Sequence, residues 1–177
     1  EIQVIPNTEA ITNDGYDDVD FIISLNPGEP MKSISKVASG GELSRIMLAL
    51  KSVMADKEEI STLIFDEIDA GISGKTAWKV SEKMAVLGKE HQLICITHLP
   101  QIAAMADSHF MIEKSAKDGR SVTDIFELKE DKTIEEIARL LSGTEVTEAV
   151  ITNARELKEL AVKTKAKFHV TNDNKVY

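Results

Sequence analysis

The sequence holds one cysteine, one tryptophan and four prolines in 177 residues, and aromatics make up only 5% of it. A lone cysteine, Cys95, inside the apolar run LICIT, excludes a disulfide framework. No apolar run exceeds five residues, far short of the ~20 that a membrane-spanning helix needs. The opening stretch, EIQVIPNTEA, has no basic segment leading into an apolar one and no initiator methionine. No signal peptide is expected there, and the missing methionine fits an excised or processed chain. Basic residues are in deficit, 21 against 30 acidic, for a net charge of −9. That balance argues against the chain by itself gripping duplex backbone, which takes clustered lysine and arginine. The one local run of bases, Lys158, Lys163, Lys165 and Lys167, reads as the solvated face of a helix.

A phosphate-binding loop of the form G-x-x-x-x-G-K-[S/T] is also missing. Gly74-Lys75-Thr76 supplies its second half, but Asp69 stands where the first glycine is required. Nor does a strand lead directly into that stretch, which follows the carboxylates Asp66 and Glu67. What remains, 42% hydrophobic and 29% charged, describes a globular chain with room for a real core, either one domain or a large piece of a bigger protein. A cytoplasmic location is the default expectation.

Residues 2–5 and Val19–Leu25 read as partner strands, the second closed by the turn at Asn26-Pro27-Gly28. Leu43, Ile46, Met47, Leu50, Val53 and Met54 have helical spacing, and Ser39 with Glu42 three residues on forms a capping box before them. Thr62–Phe65 and Gln92–Thr97 read as strands buried on both faces. A helix from about Gly74 to Leu87 lies between them, so the two strands should run parallel. A short helix follows Pro100, and His109–Lys114 and Ser121–Leu128 flank a turn at Asp118-Gly119. Two helices close the chain: one opening on Thr133 and Glu136, the other running from Val146 to about Lys165. The last residues, TNDNKVY, are expected to fray.

Ligands of open α/β sheets gather beyond the carboxyl ends of the strands. There one strand delivers Asp66 and Glu67, and the other delivers His98. The first carboxylate suits a hydrated Mg²⁺, a hard cation that favours oxygen. The second suits the orientation and polarisation of an attacking water. Capping of the next turn is the plainer reading of the pair, and a turn residue the plainer reading of the histidine. In Ser39-Gly40-Gly41, two glycines admit a close backbone approach, and the helix beyond presents unpaired N–H groups. A capped helix with two glycines would look the same.

Taken in order and spacing, Ser39-Gly40-Gly41-Glu42, then an apolar strand with Asp66-Glu67, then a strand with His98, resemble the ABC-type ATPases. Glu42 and Ile68 stand where a transporter ATPase would carry glutamine and proline, which points to the SMC-like branch. NPGEP, KVASGGELSRIMLALK, FDEIDAGISGKTA, ITHLPQIAAMADSHF and EEIARLLSG are similar to the RecN family of bacterial DNA-repair proteins. The resemblance runs from about Asp17 to Lys165. It implies an α/β, P-loop NTPase-like fold: the C-terminal lobe of an ABC ATPase head over residues 1–167, with a partly parallel sheet, flanking helices and the Walker A lobe missing. Residues 168–177 would be a flexible tail.

By the same resemblance, Ser39, Gly40, Gly41 and Glu42 would be the signature motif acting on ATP held by a second head. Asp66 would take part in binding Mg²⁺, and Glu67 would act on the attacking water. Asp69 would sit in the D-loop at the dimer contact, and His98 would be the switch histidine. The implied partners are an N-terminal P-loop lobe of the same protein, a second head in an ATP-sandwiched homodimer, and DNA through the full-length protein, with no membrane. ATP hydrolysis would belong to the full-length protein and be absent from this chain alone, and the location would be cytoplasmic, at the nucleoid. An ABC transporter ATPase fragment and a non-catalytic SMC-like dimerisation module are the alternatives. An unpaired edge on the parallel strands should also drive the isolated chain to associate.

Overall fold

The computed structural model describes residues 1–7, 11, 13, 15–25, 27–36, 39–54, 60–117, 120–143 and 145–172. The turns expected around Asn26 and Asp118-Gly119 fall in part or wholly outside these, as do residues 173–177. Elements run β1 (Ile2–Pro6), β2 (Asp17–Ile23), β3 (Lys32–Ser33), a 3₁₀ turn (Ile34–Lys36), α1 (Gly40–Met54), β4 (Thr62–Phe65), α2 (Gly74–Leu87) and β5 (Gln92–Cys95). After these come α3 (Pro100–Met105), β6 (His109–Lys117), β7 (Arg120–Leu128), α4 (Glu130–Ser142) and α5 (Glu148–Asn172).

Three small sheets result. β1, β2 and β3 are antiparallel, with Val4 opposite Val19, and β6 and β7 form a hairpin with Ile112 opposite Ile125. β4 and β5 pair in parallel, Leu63 beside Leu93 and Phe65 beside Cys95, as the intervening helix required. The amide of Ile96 donating to Phe65 O carries the pairing one residue further.

One apolar cluster joins this parallel pair to the helices on one side: Phe65, Leu48, Ile68, Met84, Leu87 and Ile102, with Leu63, Leu93 and Cys95 against them. A second unites α3, α4 and α5 through Ala103, Ala104, Ile137, Ala138, Ala154 and Ala161. Small residues on three helices let their axes approach closely, and Trp78 and Ala85 of α2 link this cluster to the first.

Four expectations need correction. β4 and β5 are covered on one face only: Ile64, Ile94 and Ile96 remain 68%, 45% and 50% exposed, because α1, α2 and α3 pack on the opposite face. α4 starts at Glu130, three residues before Thr133, with Lys129 as its N-cap. Thr133 is therefore buried in the first turn, and Glu136 holds Arg139 through two charge-assisted hydrogen bonds instead of reaching back to cap. α5 continues to Asn172, seven residues past Lys165. And the lysines of α5 are not all solvated. Lys158 Nζ donates to Ala104 O at 3.0 Å and Ala106 O at 2.8 Å, and Lys165 pairs with Asp107, so this helix is pinned to the end of α3.

Candidate functional site

β4 ends at Phe65, and the chain then turns sharply. Asp66 Oδ1 accepts the amide of Glu67 at 2.9 Å, and Glu67 adopts φ +57°, the one positive φ outside glycine among the described residues. A left-handed conformation strains a non-glycine residue by roughly 1–3 kcal/mol and persists where its surroundings enforce it. Here they do: the amide of Ala70 donates to Glu67 O at 2.9 Å, and that of Ile72 donates to Asp69 O at 3.3 Å, closing the turn. The carboxylates of Asp66 and Glu67 are exposed, while Asp69 is buried.

The first turn of α1 lies against this turn. The amide of Glu42 donates to Ser39 Oγ at 3.2 Å, so the capping half of the expected box is formed. Ser44 Oγ donates to Asp66 O at 2.7 Å, and Arg45 Nη1 donates to Ile68 O at 3.1 Å and Ala70 O at 2.8 Å. At Gly41 the approach is close enough to dictate glycine. A Cβ on Gly41 would lie 2.8–2.9 Å from Ala70 Cβ, Ala70 O and Glu67 O, and one on Gly40 would lie 2.2 Å from Glu67 Oε2. Packing alone thus accounts for Gly41, whatever ligand the loop meets.

The third wall comes from the end of β5. Asp69 Oδ2 accepts Thr97 Oγ1 at 2.6 Å and the amide of His98 at 2.9 Å, and stands 3.1 Å from His98 Nδ1. Burial, together with Asp69 and Asp66 nearby, pushes the Cys95 thiol up to about 12, so it is no nucleophile near neutral pH.

Between these walls opens a cleft of about 380 Å³, lined among others by Ser39, Gly40, Asp66, Glu67, Asp69 and His98. The sequence-selected residues therefore meet, with one exception. Glu42 is half-buried and lines a separate apolar groove between α1 and β2. Lys75 and Thr76 lie in the first turn of α2 and neither borders the cleft. Sequence reasoning passed over Ser44 and Arg45. Their position one turn beyond a Ser-Gly-Gly cap was a usable signal, since polar groups on that face must meet whatever the helix start packs against. Among the described residues no group of three or more His, Cys, Asp or Glu side chains could hold a metal ion, and no helix is long and apolar enough to cross a membrane.

No family model matches the chain. It is 48% identical over 151 residues to the DNA repair protein RecN of Halalkalibacterium halodurans, and 48% identical over 151 residues to that of Bacillus subtilis. Each alignment takes in 85% of this chain, but only 27% and 26% of the relative, so the chain spans about a quarter of the length of the curated proteins it matches. Among solved structures, an Smc head domain with a coiled coil and joint derived from Pyrococcus yayanosii superposes with a TM-score of 0.55 at 23% identity, over 80% of this chain and 26% of that one. The fold is that of a lobe of an SMC-type head, α/β with a parallel pair and flanking helices.

Proposed function

The chain belongs to the RecN family of DNA repair proteins and spans about a quarter of its relatives' length, and we propose that it is one lobe of an ATPase head serving DNA double-strand break repair and recombination. The observation that carries this reading is the cleft. Two exposed carboxylates at a strand end, a histidine at the next strand end and a Ser-Gly-Gly helix start converge on one open space, and Glu67 is held there in a strained conformation. Strain of this kind is kept where geometry matters more than stability.

The residues fit Mg-ATP as partial contributors. Mg²⁺ is commonly held by one or two carboxylates together with phosphate oxygens and water. Asp66 offers one such carboxylate, and the remaining ligands would come from the nucleotide and from a P-loop lobe. When bound, the ion would neutralise charge on the transferring phosphoryl group. Glu67 would orient and polarise the attacking water. His98, mostly exposed beside Asp69, would contact the γ-phosphate. Ser39, Gly40 and Gly41, with Glu42 behind them, would serve as the signature motif toward ATP on a second head, and the turn bearing Asp69 would sit at the contact between heads. Residues 1–167 would form this lobe. The uncovered isoleucines of β4 and β5 would receive the P-loop lobe, and DNA would be met through the longer protein.

The test is Mg-ATP binding and turnover by the chain alone and then with a separately prepared P-loop lobe of the same protein. The reading requires no turnover alone, turnover on mixing, and its loss in Glu67→Gln. Tight ATP binding by the chain alone would return Gly74-Lys75-Thr76 to contention and sink the half-site.

A further inference from the structure

Asp69 is 3% exposed, and a buried carboxylate is costly unless hydrogen bonds compensate it. A single oxygen, Oδ2, meets the hydroxyl of Thr97, the amide of His98 and the ring of the same histidine. Thr97 Oγ1 in turn accepts the amide of Leu99 at 3.0 Å, which fixes the loop on its far side. The carboxylate is itself anchored, because Arg45 holds the carbonyls of Ile68 and Ala70 on either side of it. A carboxylate that merely stitched a loop would need only the hydroxyl and the amide. The ring contact adds something more specific. A carboxylate only accepts, so its oxygen 3.1 Å from Nδ1 favours a proton on that nitrogen and leaves Nε2 as the nitrogen for a ligand.

We infer that Asp69 is the positioning residue for His98, fixing the ring's orientation and tautomer so that Nε2 is presented to the cleft. This rests on the reading of His98 as a contact to the γ-phosphate and gives Asp69 a task inside its own head, beyond a place at a dimer contact. It also links two ends of one chain. The α1 start holds the turn through Arg45, the turn holds Asp69, and Asp69 holds His98, so displacement of α1 would be felt at the histidine.

Two measurements test it. Histidine-selective ¹⁵N NMR of this chain, recorded across a pH titration and read on its neutral-imidazole plateau, should show His98 protonated on Nδ1. Asp69→Ala should return it to the Nε2–H form that predominates in free histidine. Asp69→Asn keeps the volume should the alanine variant fail to fold, and its amide, which also donates, should relax the same preference. An unchanged His98 tautomer in a folded variant would overturn the inference.

The second measurement uses the full-length protein. There Asp69→Ala should lower kcat by roughly 10–100-fold with KM within about threefold, and add no further loss on top of His98→Ala. Additive losses would place Asp69 on another task and overturn its positioning role. Should Glu67→Gln leave turnover intact, the hydrolytic reading fails separately, and the NMR measurement still decides whether Asp69 sets the ring.

Discussion

Arg45 Nη1 donates to the carbonyl of Ala70 at 2.8 Å, and through the same nitrogen to Ile68 at 3.1 Å. One guanidinium thus fastens the start of α1 to the turn that carries Glu67 and Asp69. Hydrogen bonds from charged donors contribute about 1.5–3 kcal/mol. Arg45→Ala should therefore destabilise the chain by an amount in that range, and Arg45→Lys should recover part of it. The measurement is the urea midpoint at constant m-value. A loss below about 0.5 kcal/mol, typical of an unremarkable surface site, would show that the turn holds itself.

The bare face of the parallel pair makes a second prediction. Ile64, Ile94 and Ile96 together present an apolar surface, and such patches promote association. The isolated chain should associate as its concentration rises, and Ile94→Lys should shift it toward monomer. Light scattering over a wide concentration range decides the matter. A wild-type chain that stays monomeric throughout would mean this face is stable in water as it stands.

His109 gives a pH prediction. Burial lowers its pKa from the ordinary 6.5, with Lys158 adding to the depression and Glu136 opposing it. Its buried Nδ1 has no hydrogen-bond partner among the described residues. The unfolded chain then takes up a proton below about 6.5 that the folded chain resists, so unfolding gains as pH falls. Stability attributable to His109 is present above 6.5 and is lost progressively as the pH drops toward the lower folded value. His109→Phe should flatten that part of the profile below about pH 6.5, read as the midpoint of denaturation against pH. An unchanged slope in the variant would assign the acid sensitivity to the carboxylates.

Local rules found the elements where pattern and punctuation agreed. α2 has its expected bounds because an amphipathic stretch lies between Gly74 and Gly88, and β4 stops where polar residues begin, whereas β5 ends at Cys95, two residues short of the expected Thr97. Seven of the eight candidate residues chosen from the order of short motifs line one cleft. What could not be read was set by distant neighbours. Nothing local shows that Asp69 turns inward onto Thr97 and His98, some thirty residues ahead, or that Lys158 reaches back to Ala104 and Ala106. An apolar run such as TLIF signals that a strand expects cover on both faces. It does not say whether the chain that carries it supplies that cover. The start of α4 went astray for another reason: Thr133 and Glu136 have the spacing of a capping box, but Thr133 is buried and the chain is already helical one turn earlier.

Gly40 and Gly41 are neighbours with opposite tolerances. At Gly41 an added Cβ meets backbone, Ala70 O and Glu67 O at 2.9 Å, along with Ala70 Cβ at 2.8 Å. Such atoms yield only if the turn moves, and forced contacts of this kind cost about 1–3 kcal/mol. Replacing glycine in a helix by alanine returns at most about 1 kcal/mol, so Gly41→Ala should be destabilised. At Gly40 the obstacle is Glu67 Oε2, the far end of a flexible side chain, with the rest of Glu67 at 3.4 Å or more. That carboxylate can swing aside, so Gly40→Ala should keep its stability within about 0.5 kcal/mol while displacing the group proposed to act on water. In full-length protein the two variants should separate cleanly: Gly40→Ala folded but slow in ATP turnover, Gly41→Ala weakened in stability itself. Denaturation midpoints and turnover measured side by side give the answer. Equal stability in the two would mean that α1 does not press on the turn at Ala70, and full turnover in Gly40→Ala would remove the Gly40–Glu67 contact from the chemistry.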